Sequence, residues 1–359
     1  MIIYVLDHYI VYGNIRIIGL VESYKSCVWD VQFHGLDDLE LVCAGTPENI
    51  ELLQEGRMLV RDGDINGVKY SHVMLLERVE LEFEPESGYL LRCYGKGLKS
   101  LLKRRVIWEQ INAEDEYLAQ VVYSVLYGNV IAPDDTARQI DNFTAGAPGF
   151  TTPKITCQLR GQVIAEWLEE VCTENGVGWD VDIYDGEYLF NLIEGTDRTS
   201  DQNTVPPVIF SPGFDNLLTN KYIRSKETYF NAALVGGEGD GTDRVCVGIG
   251  NASGLDRYET FIDASDVSSN GEIITLATYK DMLRQAGAEA LAEAGKTETI
   301  EGEIVPDGVY KLGTDYFLGD KVEVVNGLGI HAKARIIELI YSYDENGVKV
   351  SPVFGAWEV

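Results

Sequence analysis

The chain has 359 residues, 45% hydrophobic and 24% charged, with 37 glycines against 10 prolines. That length exceeds one ordinary core and the mix is that of a folded protein with many tight turns, which excludes a disordered chain and points to two or three domains. With 29 Lys and Arg against 58 Asp and Glu, the formal charge is −29, so the average surface repels phosphate and tight nucleic-acid binding is excluded.

The stretch from Met1 to Asp7 has no basic run and no small-residue cleavage site, and does not read as a signal peptide. No apolar run approaches the length of a membrane span, and no membrane anchor is expected. Period-2 alternation then dominates. Cys27, Trp29, Val31 and Phe33 fall on one face, and Asp30 and Gln32 on the other, as in a half-buried strand. Further strands are expected at Leu39 to Cys43, Arg57 to Arg61, Val73 to Phe83 and Tyr89 to Tyr94. So many short strands with glycine-bearing turns imply a closed or sandwiched β-structure over residues 1–107.

The period becomes helical at Tyr117, Leu118, Val121, Val122, Val125 and Leu126, with Asn112 as the expected cap and Asp115 in the first turn. A polar loop from Pro133 to Pro153 follows. The second helix carries Val163, Ile164, Trp167, Leu168, Val171 and Cys172 and stops at Asn175-Gly176. Trp179 to Tyr184 and Tyr188 to Ile193 flank Asp185-Gly186, which suits a type I′ hairpin. Residues 108–204 therefore read as a small α/β insert.

After Pro206-Pro207 strands resume at Leu217 to Arg224, Ala232 to Gly236, Arg244 to Ile249 and Arg257 to Ile262. A helix interrupts them, with Tyr279, Met282, Leu283, Ala286, Ala290 and Leu291 on its apolar stripe and Gly295 as its stop. The last hairpin joins Ala334 to Tyr343 and Val348 to Phe354 through Asn346-Gly347. Residues 205–359 form a second β-rich domain with one helix, and the fold class is α+β, rich in β.

No motif carries catalytic or cofactor chemistry. Asp62-Gly-Asp64 begins like a calcium loop, but Val73 stands where a bidentate Glu is needed, so a hairpin turn is the better reading. The glycine-rich run Gly236 to Gly241 occurs once, where a calcium-binding repeat needs stacked copies; it reads as a flexible loop exposing Glu238, Asp240 and Asp243. Gly248, Gly250 and Gly254 precede a strand rather than the helix a dinucleotide site requires. Ser100 and Lys103 have Ser-x-x-Lys spacing without the companion Lys-Thr-Gly. His8, His34, His72 and His331 lie far apart, and Cys27, Cys43, Cys93, Cys157, Cys172 and Cys246 form no C-x-x-C pair, so buried free thiols are expected and no metal site.

Several spaced segments carry a resemblance. They are Phe214 to Asn220, Asn231 to Gly239, Asp256 to Glu259 before Asp263 to Ser265, Leu318 to Val322, Ala334 to Glu338 and Val353 to Gly355. Upstream, Ser23-Tyr24 with Trp29 and Phe33, and Tyr94 to Leu98 with Leu101 to Arg105, extend the same order. Together they resemble the siphophage and prophage tail proteins of the baseplate hub type over nearly the whole chain. The resemblance implies two tail-tube-like β-barrel domains plus the insert, and a homotrimeric ring of pseudo-sixfold symmetry. Such a ring joins the tail tube or distal tail protein to a tip, central spike or receptor-binding protein. It further implies a virion-tail protein made in the host cytoplasm, not an enzyme and without a cofactor, with DNA as a transient passenger. The chain ends at Val359 just after the last hairpin, so any murein-cutting module is expected on another protein.

The one local departure from acidity is Lys96, Lys99, Lys103, Arg104 and Arg105 beside Leu98, Leu101 and Leu102. On a short helix, Lys96, Lys99 and Lys103 would share a face, either an ordinary solvated one or a subunit-interface patch meeting acidic residues of a neighbouring copy. A tail-associated peptidoglycan hydrolase and a β-rich carbohydrate or receptor-binding protein are the alternative readings. The first lacks a catalytic constellation in the sequence, and the second needs an exposed aromatic platform.

Overall fold

The computed structural model describes all residues except 8–9, 11–14, 266, 270–274, 296, 306–307, 346 and 356–359, and the backbone alone at 220, 289, 292–293 and 297–303. The chain forms two compact units: Met1–Asn220 with Glu301–Val359, and Lys221–Ile300. The expected boundaries at 107/108 and 204/205 both fall inside the first unit, which the chain leaves and re-enters.

The first unit is organised by a large sheet, and the sheet follows from alternation. Strand Ser26–Gln32 buries Cys27, Trp29 and Val31 and leaves Val28 exposed. On one side it pairs antiparallel with Asp38–Ala44, and that strand with Gly88–Gly97. On the other side it pairs with His331–Asp344, placing Trp29 opposite Tyr341. The N-terminal and C-terminal β-regions therefore share one continuous sheet. It runs on through Met74–Glu84, Met58–Arg61 and Ile3–Leu6 to an edge at Ile17–Val21, and in the other direction to Gly347–Phe354. Among the described residues none of the sheets closes into a barrel, so the two expected barrels are not seen within one chain. The molecule is β-rich and of α+β class, as expected.

Its core lies on both faces of this sheet. One face packs Ile3, Val5, Trp29, Leu41, Leu59 and Met74, and the other receives the middle of the chain. Helix Leu118–Leu126 buries Leu118, Val121, Val122, Val125 and Leu126, and helix Ile164–Asn175 buries Ile164, Trp167, Leu168, Val171 and Cys172. Gly176 closes the second helix in the left-handed conformation at φ 63, as its sequence position predicts. Asp185 at φ 48 and Gly186 at φ 82 form the type I′ turn. Asn112, expected as a helix cap, instead sits in strand Ile111–Tyr117 opposite Gln158, and the helix starts at Leu118. Pairing with strand Lys154–Leu159 captures residues that local capping chemistry alone would assign to the helix.

The middle segment is also tied to its flanks. Strand Gly178–Tyr184 pairs with Lys69–Tyr70, the second strand of the hairpin read at Asp62 to Gly67. Downstream, buried Asp320 accepts hydrogen bonds from the Thr196 amide at 2.8 Å and the Phe317 amide at 3.0 Å, and pairs with Arg198 at 2.5 Å. These ties explain why residues 108–204 do not stand apart.

In the second unit, strand Ala232–Gly236 lies between Cys246–Ile249 and Glu259–Asp263, and helix Leu276–Glu293 covers them. Thr275 caps the helix by accepting from the Thr278 amide at 3.2 Å. Ala233, Val235, Val247, Ala264, Tyr279 and Leu283 form the core, whereas Met282 of the expected stripe is 38% exposed. A Cβ at Gly287 would collide with Val235, so a glycine lets helix and strand approach closely. The glycine-rich loop is anchored: the Tyr279 hydroxyl accepts from the Glu238 amide at 2.7 Å, and the Glu238 carboxylate accepts from Ser268 and Ser269. Asp240 and Asp243 are exposed as expected. Of the last hairpin's turn, Asn346 lies outside the described residues.

Candidate functional site

The basic segment is split among three environments. Lys96 is the penultimate residue of strand Gly88–Gly97 and pairs with Asp38 at 2.6 Å. The next residues form a 3-10 helix, Leu98–Arg104, whose tighter winding does not keep Lys96, Lys99 and Lys103 on one face. Lys99 is fully buried: its Nζ lies 2.8 Å from Asp37 Oδ1, donates to the Gln32 carbonyl at 2.6 Å, and stands 5.5 Å from the Trp179 ring centroid. Asp37 also accepts from the Gln32 amide at 2.9 Å. The expected exposed patch thus loses its central residue, because the lysine's apolar neighbours carry it inward and the paired carboxylate offsets the cost of burying its charge. Lys103 and Arg104 are exposed, Arg104 lying 3.6 Å from Glu77. Arg105 is half-buried and donates to the Arg138 carbonyl at 2.6 Å; burial, with Arg138 and Arg104 nearby, lowers its pKa. A cavity of about 710 Å³ opens beside this helix, with Leu75, Leu98 and Leu101 in its walls and Arg104, Arg105 and Glu77 among its polar groups.

The lysine–aspartate pair belongs to a larger group of buried charges that sequence reading missed. Asp180 and Asp182 project from strand Gly178–Tyr184, and both are nearly buried. Asp182 pairs with Lys69 at 2.7 Å, yet burial first, and then Asp180, raise its pKa. Arg61 lies 2.5 Å from Asp64 and stacks 4.0 Å from the Tyr341 ring centroid. Burial opposes its charge, but Asp64 holds its pKa above the ordinary value. A second cavity, about 560 Å³, adjoins these groups, with Phe33, Trp179, Phe317 and Tyr341 in its walls and His72 and Asp180 among its polar groups. The usable sequence signal was Asp180 and Asp182 alternating with Trp179, Val181 and Ile183, which places carboxylates on a single face of a buried strand.

Among the described residues the histidines do not converge. His34 Nδ1 faces the Val177 carbonyl at 3.1 Å, His72 Nδ1 lies 3.6 Å from Asp180, and His331 Nε2 lies 2.9 Å from Glu323; His8 is outside the described residues. Burial pushes the Glu323 carboxyl upward, but hydrogen bonds from the Ser200 hydroxyl and amide and from His331 hold it below its ordinary value. Among the described residues no three or more His, Cys, Asp and Glu are placed to hold a metal. All six cysteines are free, and burial pushes the Cys27, Cys93 and Cys172 thiols up to about 12, which keeps them unreactive. Ser100 is buried in the 3-10 helix. No helix among the described residues is long and apolar enough to cross a membrane.

The sequence matches the family described as Siphovirus ReqiPepy6 Gp37-like protein over residues 3–356. The chain belongs to that family. Its fold is similar to that of the 43 kDa tail protein of prophage MuSo2 from Shewanella oneidensis, at 13% identity and a TM-score of 0.57, covering 99% of this chain and 98% of that one. It is also similar to the tail protein from Neisseria meningitidis MC58, at 15% identity and a TM-score of 0.55, covering 98% and 95%. No match is found among curated proteins. At these identities the likeness establishes the fold, which this siphovirus family member shares with prophage tail proteins from end to end. The resemblance read from the spaced sequence segments holds at the level of the family.

Proposed function

We propose that this family member is a structural, non-enzymatic component of a tail baseplate: a hub of three copies that joins the tail tube to the tip and encloses the channel for DNA. The observation that carries this reading is the end-to-end likeness of fold to two prophage tail proteins, at 99% and 98% of this chain. The tube-like barrels are, on this reading, completed by assembly, where the open ends of the large sheet meet neighbouring copies. Distal tail protein, tip or spike are its partners, and the virion tail its location.

A physical feature supports self-association. Strand Met74–Glu84 pairs with Met58–Arg61 only at Leu75 and Met74, so beyond Leu76 its outer edge has no strand partner among the described residues. That strand exposes Leu81 and Phe83, at 51% and 61%, and Tyr89, opposite Phe83 on the neighbouring strand Gly88–Gly97, is 57% exposed. A free edge with apolar side chains is a template for pairing with another chain. Lys103 and Arg104 are the remaining residues of the basic segment proposed to contact acidic groups of the next copy. The net charge of −29 suits a channel wall that does not hold DNA, a repulsion reaching about 10 Å at 0.1 M salt. Sedimentation velocity tests the reading: wild type is expected as a trimer and Phe83→Glu or Lys103→Glu with Arg104→Glu as smaller species, and a wild-type monomer at every concentration contradicts it.

A second reading, glycan binding, is supported by one observation. Tyr123 and Tyr127, half-exposed on successive helical turns, stack at 6.0 Å between ring centroids. A glycan array with wild type and Tyr123→Ala tests it, and binding lost in the variant supports it.

A further inference from the structure

The 560 Å³ cavity is lined by Asp62, Asp64 and Asp180 against one guanidinium, that of Arg61, which Asp64 already meets, an acidic balance that suits an organic cation. Asp180 is only 8% exposed and lines this cavity. Its Oδ1 accepts from the Val181 amide at 2.8 Å, but its Oδ2 accepts no hydrogen bond from any described residue, the nearest basic nitrogen being His72 Nδ1 at 3.6 Å. That nitrogen is itself buried without a hydrogen-bond partner. A nearly buried carboxylate oxygen left without a donor is costly, and in folded proteins such a group calls for a cation or donor to complete it.

Neighbouring charges are already committed. Lys99 is held by Asp37, Lys69 by Asp182, and Arg61 by Asp64. Among the described residues no lysine or arginine therefore turns to Asp180, and His72 alone stands beside it. The backbone is also held in an unusual state here, since His72 has φ 49, a left-handed conformation uncommon for a residue with a Cβ. Such strain concentrates at sites whose geometry serves a purpose other than folding.

The walls add the second requirement. Phe317, 46% exposed, and Tyr341, whose ring Arg61 already faces, line the same space with the buried rings of Phe33 and Trp179 behind them, and aromatic faces attract cations that have shed their water. The volume lies in the range of small-ligand pockets, ample for one lysine or arginine side chain or a free small amine.

We infer that this cavity binds an ammonium or guanidinium group, its charge met by Asp180 and its flanks by the aromatic walls. The inference stands on the cavity alone and does not depend on the ring. It is tested on the full chain by following tryptophan fluorescence, because Trp179 forms part of the wall, during titration with acetyl-arginine methylamide, acetyl-lysine methylamide and choline. A saturable change with a Kd of about 1–10 mM is expected. Saturation by the capped amino acids but not choline assigns the site to a side chain of another protein, and saturation by choline assigns it to a free amine. Asp180→Asn is expected to weaken binding by about tenfold or more. Phe317→Ala, which removes no charge and leaves Asp180 and its neighbours in place, is expected to weaken it as well and serves if the first variant melts early. Absence of a saturable change with every probe up to about 50 mM, or equal binding by wild type and both variants, overturns the inference.

Discussion

Lys99 and Asp37 are each about 1% exposed in their side chains and hold one another at 2.8 Å. Two charges taken out of water are stabilised only as a pair, so removing one leaves the other uncompensated. Lys99→Met is therefore expected to destabilise the protein by about 3–5 kcal/mol, and Lys99→Met with Asp37→Leu by less, as read from denaturant unfolding. Burial likewise sets the behaviour of His34, whose pKa is lowered to about 4. The unfolded chain takes up this proton near the ordinary 6.5 and the folded chain only near 4, so stability present above pH 6.5 is lost as pH falls through that window. After allowance for partial solvent screening the loss is roughly 2 kcal/mol. The Asp37 carboxyl, raised by burial despite Lys99, works in the opposite direction and gains relative stability as pH falls. Comparing wild type with His34→Gln at pH 7 and pH 4.5 isolates the histidine: the variant is expected to lose less stability on acidification. Neither residue was legible in the sequence, because a lysine beside leucines and an isolated histidine carry no local mark of burial.

Among elements, those whose signal is local were legible. The Asp185-Gly186 turn, the Gly176 stop and the strands from Ser26–Gln32 to Gly88–Gly97 follow from residues a few positions apart. Strand Ile111–Tyr117 was hidden because its partner, Lys154–Leu159, lies some forty residues downstream and register across such a gap leaves no local periodicity. Close approach is similarly invisible. Phe33 sits where a Cβ on either Gly178 or Gly319 would strike its ring, so two distant glycines make room for one aromatic side chain. Gly178→Ala is expected to cost about 1–3 kcal/mol of stability through overpacking, measured by thermal or denaturant unfolding, and wild-type stability would mean that the ring yields freely.

At the scale of the whole molecule, the α+β class and its strand-rich ends were readable, whereas the joining of those ends was not. Ser26–Gln32 meets His331–Asp344 across some three hundred residues, so two regions that read as separate β-domains build one sheet. Sequence likewise did not announce that residues 221–300 form a unit of their own, since their strands and helix resemble those around them. Family membership was legible because it rests on the order of many short segments. The central claim is that copies of this chain form an annulus. Electron microscopy of the purified full-length protein tests it most directly: a threefold ring with a central hole lined by more Asp and Glu than Lys and Arg is expected, and discrete single-copy particles without a ring, or a ring with a basic channel, would contradict it.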